Sequence, residues 1–407
     1  MKKNCLIIAL LSIVLLSGCM SGGEKTEIKI QLSEPEYIFS LVQNKSDSVF
    51  LAAYDHALTN YNPEKSDFLS LLENEYSGIC PDCKLASLFN SFELSGVMSY
   101  DMSGPEVVSA LNGEVKRAMD TTVSILAKRI GLFCKPSSGL DKLLKNTVVE
   151  VAALPEKNTW SFTVNRKVDA ERLTKLLESH IKCGFWETYE LKEIWDYLAQ
   201  ANKLLSDPSM AEYTGIMADT SQVQGVLFSV LSPAIDMNGE LMKGSTIGYS
   251  KFGDIPLFND YMSLSAISNI FPRDLKLMWG PTPGSKNKEI LSLIAARTST
   301  RDGLPILGND YIVEASSGIK NYPPVLTIRM NNEGARIFSR LTRDNIDRQI
   351  VFEVNNSVFS LATVLDEITD GAFSITGDYT EEEITDLAII LNSGTAPDIG
   401  IKVISIL

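Results

Sequence analysis

The spacing of hydrophobic positions changes several times along the chain. Between about residues 34 and 76 apolar side chains recur every three or four positions. Val49, Phe50, Ala53, Ala57 and Leu58 do so within 46–61, and Leu69, Leu71, Leu72 and Tyr76 within 66–76. That period predicts amphipathic helices, and Pro35 suits a first helical turn. Residues 81–92 predict a further helix with Leu85, Leu88 and Phe89 on one face. Ser103-Gly104-Pro105-Glu106 joins a cap residue, a proline and an acid, a helix-start signal. It predicts a long helix to about Ile130, with Leu111, Val115, Ala118, Met119, Thr122 and Leu126 on a drifting stripe. Gly131 is placed to end it.

After Pro136 and Gly139 the period falls to two. Residues 147–154 and 159–165 predict a hairpin across Pro155-Glu156-Lys157-Asn158. Asp169 is placed to cap a helix with Leu173, Leu176, Leu177 and Ile181 on one face. Residues 183–191 then predict a strand and 191–205 a helix. Residues 206–307 are punctuated by seven prolines, and predict a small α+β subdomain or an insertion with long loops.

The last hundred residues carry the clearest pattern. They predict strands at 325–330, 349–354, 357–364, 373–376 and 400–407. Asn331 caps a helix at 333–342, and Asn355-Asn356 forms a tight turn. Thr380-Glu381-Glu382-Glu383 is a capping box. It opens a helix with Ile384, Leu387, Ala388 and Leu391 at i, i+3, i+4 and i+7, which Gly394 and Pro397 end. The order β-α-β-β-α-β predicts one compact split-βαβ unit over 325–407, with Phe338, Leu341, Ile384, Leu387 and Leu391 in its core. The hairpin, helix and strand at 147–191 offer a partial second copy. The fold class expected is α+β.

The first residues read differently. Lys2 and Lys3 precede an eleven-residue apolar run, 6–16, interrupted by Ser12. It is too short to span a bilayer and has the length of a signal-peptide core. Leu16-Ser17-Gly18-Cys19 resembles a bacterial lipobox. Residues 1–18 are then a lipoprotein signal peptide, and 19–33 a lipidated Cys19 with its linker. A plain signal peptide or a short anchor is the competing reading.

Charge and composition narrow the function. Among 407 residues, 37 are Lys or Arg and 51 are Asp or Glu, a net charge of −14. That balance argues against binding of nucleic acid, whose phosphates need Lys and Arg. The two histidines, His56 and His180, leave little room for a His-based metal site or triad. No Ser/His/Asp set, phosphate loop or metal-spaced cluster is present, so neither catalysis nor a cofactor is expected. Arg129, Arg336 and Arg343 read as surface or ion-paired residues. Cys80-Pro81-Asp82-Cys83 is open to three readings: a redox pair, a local disulfide, or two ordinary thiols. Cys134 and Cys183 are the other cysteines beyond Cys19 in the mature chain.

Several spaced motifs resemble one family. Asn331-Asn332-Glu333-Gly334-Ala335-Arg336-Ile337-Phe338 with Thr342-Arg343-Asp344-Asn345 resembles the "N-E-G-A-x-x-F…T-x-x-N" helix of SecD, the protein-export subunit. Ile368-Thr369-Asp370-Gly371, Ser374-Ile375-Thr376-Gly377 and the segment from Thr380 to Pro397 resemble its next stretch. Phe185-Trp186-Glu187-Thr188-Tyr189-Glu190, Leu277-Met278-Trp279-Gly280, Leu307-Gly308-Asn309-Asp310 and Ser124-Ile125-Leu126-Ala127-Lys128-Arg129-Ile130 fit the same template. There are departures. The family's "D-L-x-G-G" is missing at 27–36. Its "S-A-P-x-V" appears as Ser360-Leu361-Ala362-Thr363-Val364, without the proline. The sequence also stops at Leu407, where the family enters its membrane helices.

The resemblance implies a SecD-type periplasmic region, detached and lipidated. Residues 34–145 would be a helical region, 146–206 and 311–407 two halves of a base, and 207–310 an inserted head-like subdomain. The implied role is passive and non-enzymatic. The protein would bind unfolded or translocating polypeptide, or components of the Sec translocon, while anchored by lipid on the periplasmic side of a bacterial membrane, the outer membrane being expected. The alternatives are a thiol–disulfide oxidoreductase using Cys80 and Cys83, and a diverged envelope-binding lipoprotein with no export role.

Overall fold

The computed structural model describes residues 25–89, 91, 94–135, 148–210, 225–282, 289–298, 303–318 and 323–407. Its strands are β1 (Thr26–Ser33), β2 (Glu150–Ala153), β3 (Thr159–Val164), β4 (Cys183–Thr188), β5 (Ser232–Pro233), β6 (Thr246–Lys251), β7 (Leu275–Pro281) and β8 (Ile290–Arg297). They continue as β9 (Leu307–Gly308), β10 (Ile312–Gly318), β11 (Val325–Met330), β12 (Gln349–Val354), β13 (Ser357–Thr363), β14 (Ala372–Thr376) and β15 (Gly400–Ile406). The helices are α1 (Pro35–Leu41), α2 (Ser48–Asn60), α3 (Phe68–Ile79), α4 (Gly104–Phe133), α5 (Ala170–Glu178), α6 (Leu191–Leu205), α7 (Val226–Val230), α8 (Ile255–Ser263), α9 (Ser265–Ser268), α10 (Asn332–Asp344) and α11 (Glu381–Ser393). The architecture is α+β.

A split-βαβ base is present, but its strands are not those expected. The sheet order is β15-β1-β3-β2, every pair antiparallel, with β3 between the mutually parallel β1 and β2. The chain passes from β1 to β2 through α1–α4, and α5 follows β3 on the route to β15. Residues 26–33, expected to belong to a linker, are therefore the central strand β1. The reason is its alternation: Ile28, Ile30 and Leu32 are buried while Glu27, Lys29 and Gln31 face outward. Ile30 pairs with Trp160 on one side and Val403 on the other, so one face is continuously apolar. The long helix α4 runs past Gly131 to Phe133, and Cys134 caps it. The helix expected at 81–92 is a 3₁₀ turn over Leu85–Phe89.

Residues 325–407 do not form one compact sheet. β11 joins β10-β11-β14, β12 and β13 lie in a large mixed sheet, and β15 returns to the base. The core choices nevertheless fall together: Phe338, Leu341, Ile384, Leu387 and Leu391 are buried in one cluster. The large sheet runs β5-β6-β8-β7-β13-β12-β4-β9, and β4 also pairs with β8 through Glu187↔Arg297 and Thr188↔Ala296. That extra pairing closes β4, β12, β13, β7 and β8 into a ring, though β7 pairs with β13 only at Ser357↔Trp279. Trp186, Met278, Ile294, Val351 and Val358 fill one cluster. Both faces of β4 are buried, with Phe185 in the other core. The stretch at 207–310 packs around Leu227, Ile247 and Phe258 in an apolar cluster shared with Leu191, Ile194 and Leu198 of α6. Its strands β6, β7 and β8 are continuous with the large sheet, so it is not a separate sheet of its own.

Candidate binding cleft

Two strands that follow one another in the chain, β13 and β14, lie in different sheets with a cleft between them. Its volume is about 530 Å³. The floor is four phenylalanines from four elements. Phe185 of β4 lies 5.2 Å from Phe338 of α10, 4.8 Å from Phe352 of β12 and 5.1 Å from Phe373 of β14, between ring centroids. Each is placed by its own local pattern. Phe185 and Phe352 alternate out of doubly buried strands, and Phe338 shares the inner face of α10 with Leu341. Phe373 follows the turn at Gly371, where φ is +65° and a Cβ would lie 2.5 Å from that of Ala335.

The walls are strand edges. Among the described residues β14 is a terminal strand of its sheet, bonded to β11 alone. β13 is paired with β12 along its length, but it pairs with β7 only at Ser357, with Gly280 packed against Val358 beside it. Among the described residues, the rest of that side of β13 has no strand partner. The Tyr379 hydroxyl donates to the Phe359 carbonyl and its ring stacks on Phe359 at 4.2 Å, one residue before the part of β13 that lines the cleft. At the mouth Leu365 is 83% exposed beside Asp366. Among the described residues that line the cleft, Asp366 is the one that is ionisable, and the others are apolar or carry hydroxyls.

The residues singled out in the sequence lie elsewhere. Cys19 falls outside the described residues. Cys80 and Cys83 form a disulfide with a Cα–Cα distance of 5.3 Å, at the C-terminal end of α3. Cys134 and Cys183 are buried thiols, and burial pushes Cys183 up to about 12. His56 faces Glu75 at 3.3 Å on the surface, and His180 lies between α5 and β4 with its Nε2 buried and unpartnered. No His/Cys/Asp/Glu group suited to a metal occurs among the described residues.

Arg129 corrects an expectation. It is neither on the surface nor paired with a carboxylate; it is 1% exposed. Its guanidinium donates to the carbonyls of Leu176 at 3.0 Å and Ser179 at 2.9 Å, and to Ser393 Oγ at 3.2 Å. It thus caps the C-terminal turn of α5 and ties it to α11. The phenylalanine floor was not singled out in the sequence. Helical period places Phe338 in the core, and Phe185, Phe352 and Phe373 lie inside apolar strand runs, but nothing in the sequence joins the four.

Comparison with known proteins agrees with these motifs. The SecDF P1 head subdomain model matches residues 296–397, which overlaps the 207–310 stretch expected to be head-like only at 296–310. The SecD subunit of Rhodothermus marinus is 22% identical over 349 residues, covering 82% of this chain and 53% of that protein. The SecD subunit of Rickettsia conorii is 24% identical over 272 residues, 65% of this chain and 50% of that one. The chain thus spans about half the length of these relatives. A solved SecDF, described as a membrane component that enhances protein export, covers 72% of this chain at 16% identity, with a TM-score of 0.35. Since the matched interval contains the spaced motifs of α10, β14 and α11, and similarity to SecD subunits extends over most of the sequence, this chain is a SecD-like protein.

Proposed function

We propose that this is a lipid-anchored protein of the bacterial cell envelope that assists export by holding extended polypeptide between β13 and β14. The observation that carries the reading is a cleft with an open strand edge on each side and an apolar floor. An inserted segment would exchange backbone hydrogen bonds with the edges, and its alternate side chains would reach the phenylalanines. Such capture is passive and non-enzymatic. It would slow backsliding of a translocating chain or present that chain to components of the translocon, and it should be insensitive to an imposed proton gradient. No helix among the described residues is long and apolar enough to cross a membrane. In this proposal Cys19 carries the lipid on the periplasmic side, and residues 20–25 act as a tether. Affinity should be modest, because the captured segment loses conformational entropy.

The test is binding of an unfolded, export-competent polypeptide to the purified chain lacking residues 1–18, beside the same polypeptide folded. The unfolded form should bind and the folded form should not. Ala362→Trp, on the exposed rim of the cleft, should weaken binding without unfolding the protein. Equal binding of both forms, or none, overturns the capture reading.

A further inference from the structure

Of the two edges that bound the cleft, one is free to receive a strand. We propose that the captured segment adds to β14 and not to β13, through the backbone of Ser374 and Thr376, and is read only at alternate side chains. The inference rests on the capture reading above and names the atoms of that same site.

The direction of each backbone group on β14 follows from its neighbours. In an antiparallel ladder successive residues turn their N–H and C=O alternately to one side and the other. Met330 N donates to the Gly371 carbonyl at 3.0 Å, so Gly371 and, by alternation, Phe373 and Ile375 face β11. Across β11, Ala315 of β10 is paired with Ile328. Ala315 N donates to Asn392 Oδ1 at 2.9 Å, and Asn392 Nδ2 donates to the Ala315 carbonyl at 2.5 Å. Ala315 therefore points away from β11, which leaves Ile328 pointing to β14, in agreement. Ala372, Ser374 and Thr376 face the free side. Ala372 N donates to Asp370 Oδ1 at 3.1 Å. Among the described residues, no hydrogen bond reaches the backbone N–H or C=O of Ser374 or Thr376.

Other edges of the same chain are blunted by side chains. The Asn392 amide occupies the free side of β10 as a strand would, and on β15 Glu178 Oε1 accepts from Val403 N at 2.9 Å. β13 is interrupted too: its register with β12 skips Phe359, whose carbonyl accepts from the Tyr379 hydroxyl. β14 keeps an unbroken register with β11 from Ala372 to Thr376. Proteins cover or charge an edge that must not pair. At Ser374 and Thr376, beside the phenylalanine floor, the edge is bare.

Alternation of side chains sets the specificity. Phe373 and Ile375 pack into the core under the cleft, while Ser374 and Thr376 are exposed on the opposite face, where Ser374 Oγ lies 3.0 Å from Thr327 Oγ1. An added strand continues that alternation, so every second side chain meets the phenylalanines and those between lie beside hydroxyls. Ser374 and Thr376 offer two donors and two acceptors over about 7 Å. The ligand class is an extended segment with apolar residues at every second position and small polar ones between.

The probes are two labelled peptides of one composition, alternating valine and serine or a valine block followed by a serine block, each between Gly/Ser ends. Binding to the chain lacking residues 1–18 is read by fluorescence anisotropy. Proline on the free side of an edge strand costs no ladder hydrogen bond, and it removes the donor that an added strand needs. Ser374→Pro should weaken binding of the alternating peptide about tenfold, while Ser374→Ala, which keeps the N–H, should not. Thr376→Pro repeats the test if Ser374→Pro lowers Tm. Val364 N donates to Arg348 O, so Thr363 faces the free side of β13, and Thr363→Pro should bind as the parent does. The block peptide should bind less tightly than the alternating one. Undiminished binding to a folded Ser374→Pro or Thr376→Pro variant, or a loss with Thr363→Pro, overturns the assignment to β14 while capture stands. Equal binding of the two peptides overturns the alternate reading of side chains. If neither peptide nor an unfolded polypeptide binds the parent, capture itself fails and this inference with it.

Discussion

Replacing Arg129 should reverse the usual order of conservative and drastic substitutions. In the native protein the cation is buried without a carboxylate, and desolvation lowers its pKa from the usual guanidinium range to about 10. At about 1.4 kcal/mol per pKa unit, the fold carries roughly 3 kcal/mol against the charged form. Set against this are the donors it supplies to Leu176 O, Ser179 O and Ser393 Oγ. Arg129→Met keeps the apolar stem and removes the charge, but leaves two buried carbonyls unpaired at roughly 1–3 kcal/mol each. The two effects largely offset, so a net loss of about 1–3 kcal/mol is expected. Arg129→Lys keeps the buried charge on a compact, strongly hydrated ammonium that cannot span three acceptors. Its loss should be larger, about 3–5 kcal/mol. Denaturant unfolding of both variants, followed by tryptophan fluorescence and far-UV circular dichroism, measures the order. A lysine variant as stable as the methionine variant would refute the claim that burial of charge, and not loss of packing, dominates at this position.

Leu387→Ala should cost about 2–5 kcal/mol in denaturant unfolding, because the side chain is 4% exposed in the α11 core; a loss below 1 kcal/mol would show that its face is misassigned. Glu34 is buried, and desolvation raises it above the ordinary 4.5 although Tyr61 Oη and Phe68 N both donate to its Oε1. A raised carboxyl binds its proton more tightly in the native state, so its contribution is intact below pH 4.5 and is lost as pH rises through the folded value. Glu34→Gln, whose Oε1 can keep both bonds, should therefore raise Tm at pH 7 and leave it unchanged near pH 4; a Tm lowered equally at both would contradict this. Cys19→Ala should release the protein from membranes or leave it unprocessed, and a variant still cut at the same bond and still membrane-bound would remove the lipid anchor from the proposal.

Local signals were legible, and long-range pairing was not. The Thr380 capping box forms, with Glu383 N donating to Thr380 Oγ1 at 3.2 Å. Asn355 and Asn356 take φ of +52° and +60°, as a tight hairpin turn requires. The Asn331 cap accepts from Gly334 N at 2.8 Å. Each depends on residues within four positions. By contrast, the alternation of Ile28, Ile30 and Leu32 is plain in the sequence, but its value depends on Phe162 and Val403, distant along the chain. A segment that follows an apolar run and a Gly-Gly pair reads as tether until those partners are known. Arg129 was missed for a similar reason: its acceptors lie on α5 and α11, and helical period alone puts an arginine on the surface.

The cleft itself shows how function can hide in a connection. β13 and β14 are consecutive strands separated by eight residues, 364–371, and the simplest expectation is that they pair as neighbours. They do not, because the connection is bound elsewhere. Val364 exchanges hydrogen bonds with Asp347 N and Arg348 O, just past the end of α10, and Ile368 N donates to Thr342 Oγ1 on α10 at 3.0 Å. Ser339, on the same helix, holds Glu367. The segment is thus fastened across α10 and delivers β14 to β11 instead of to β13, at the sharp turn only Gly371 makes easily. Two strand edges that would have satisfied each other are left facing across a gap floored by phenylalanine. An unpaired edge invites strand addition, and proteins usually blunt it with charge or proline. The gap is therefore maintained by contacts made outside it.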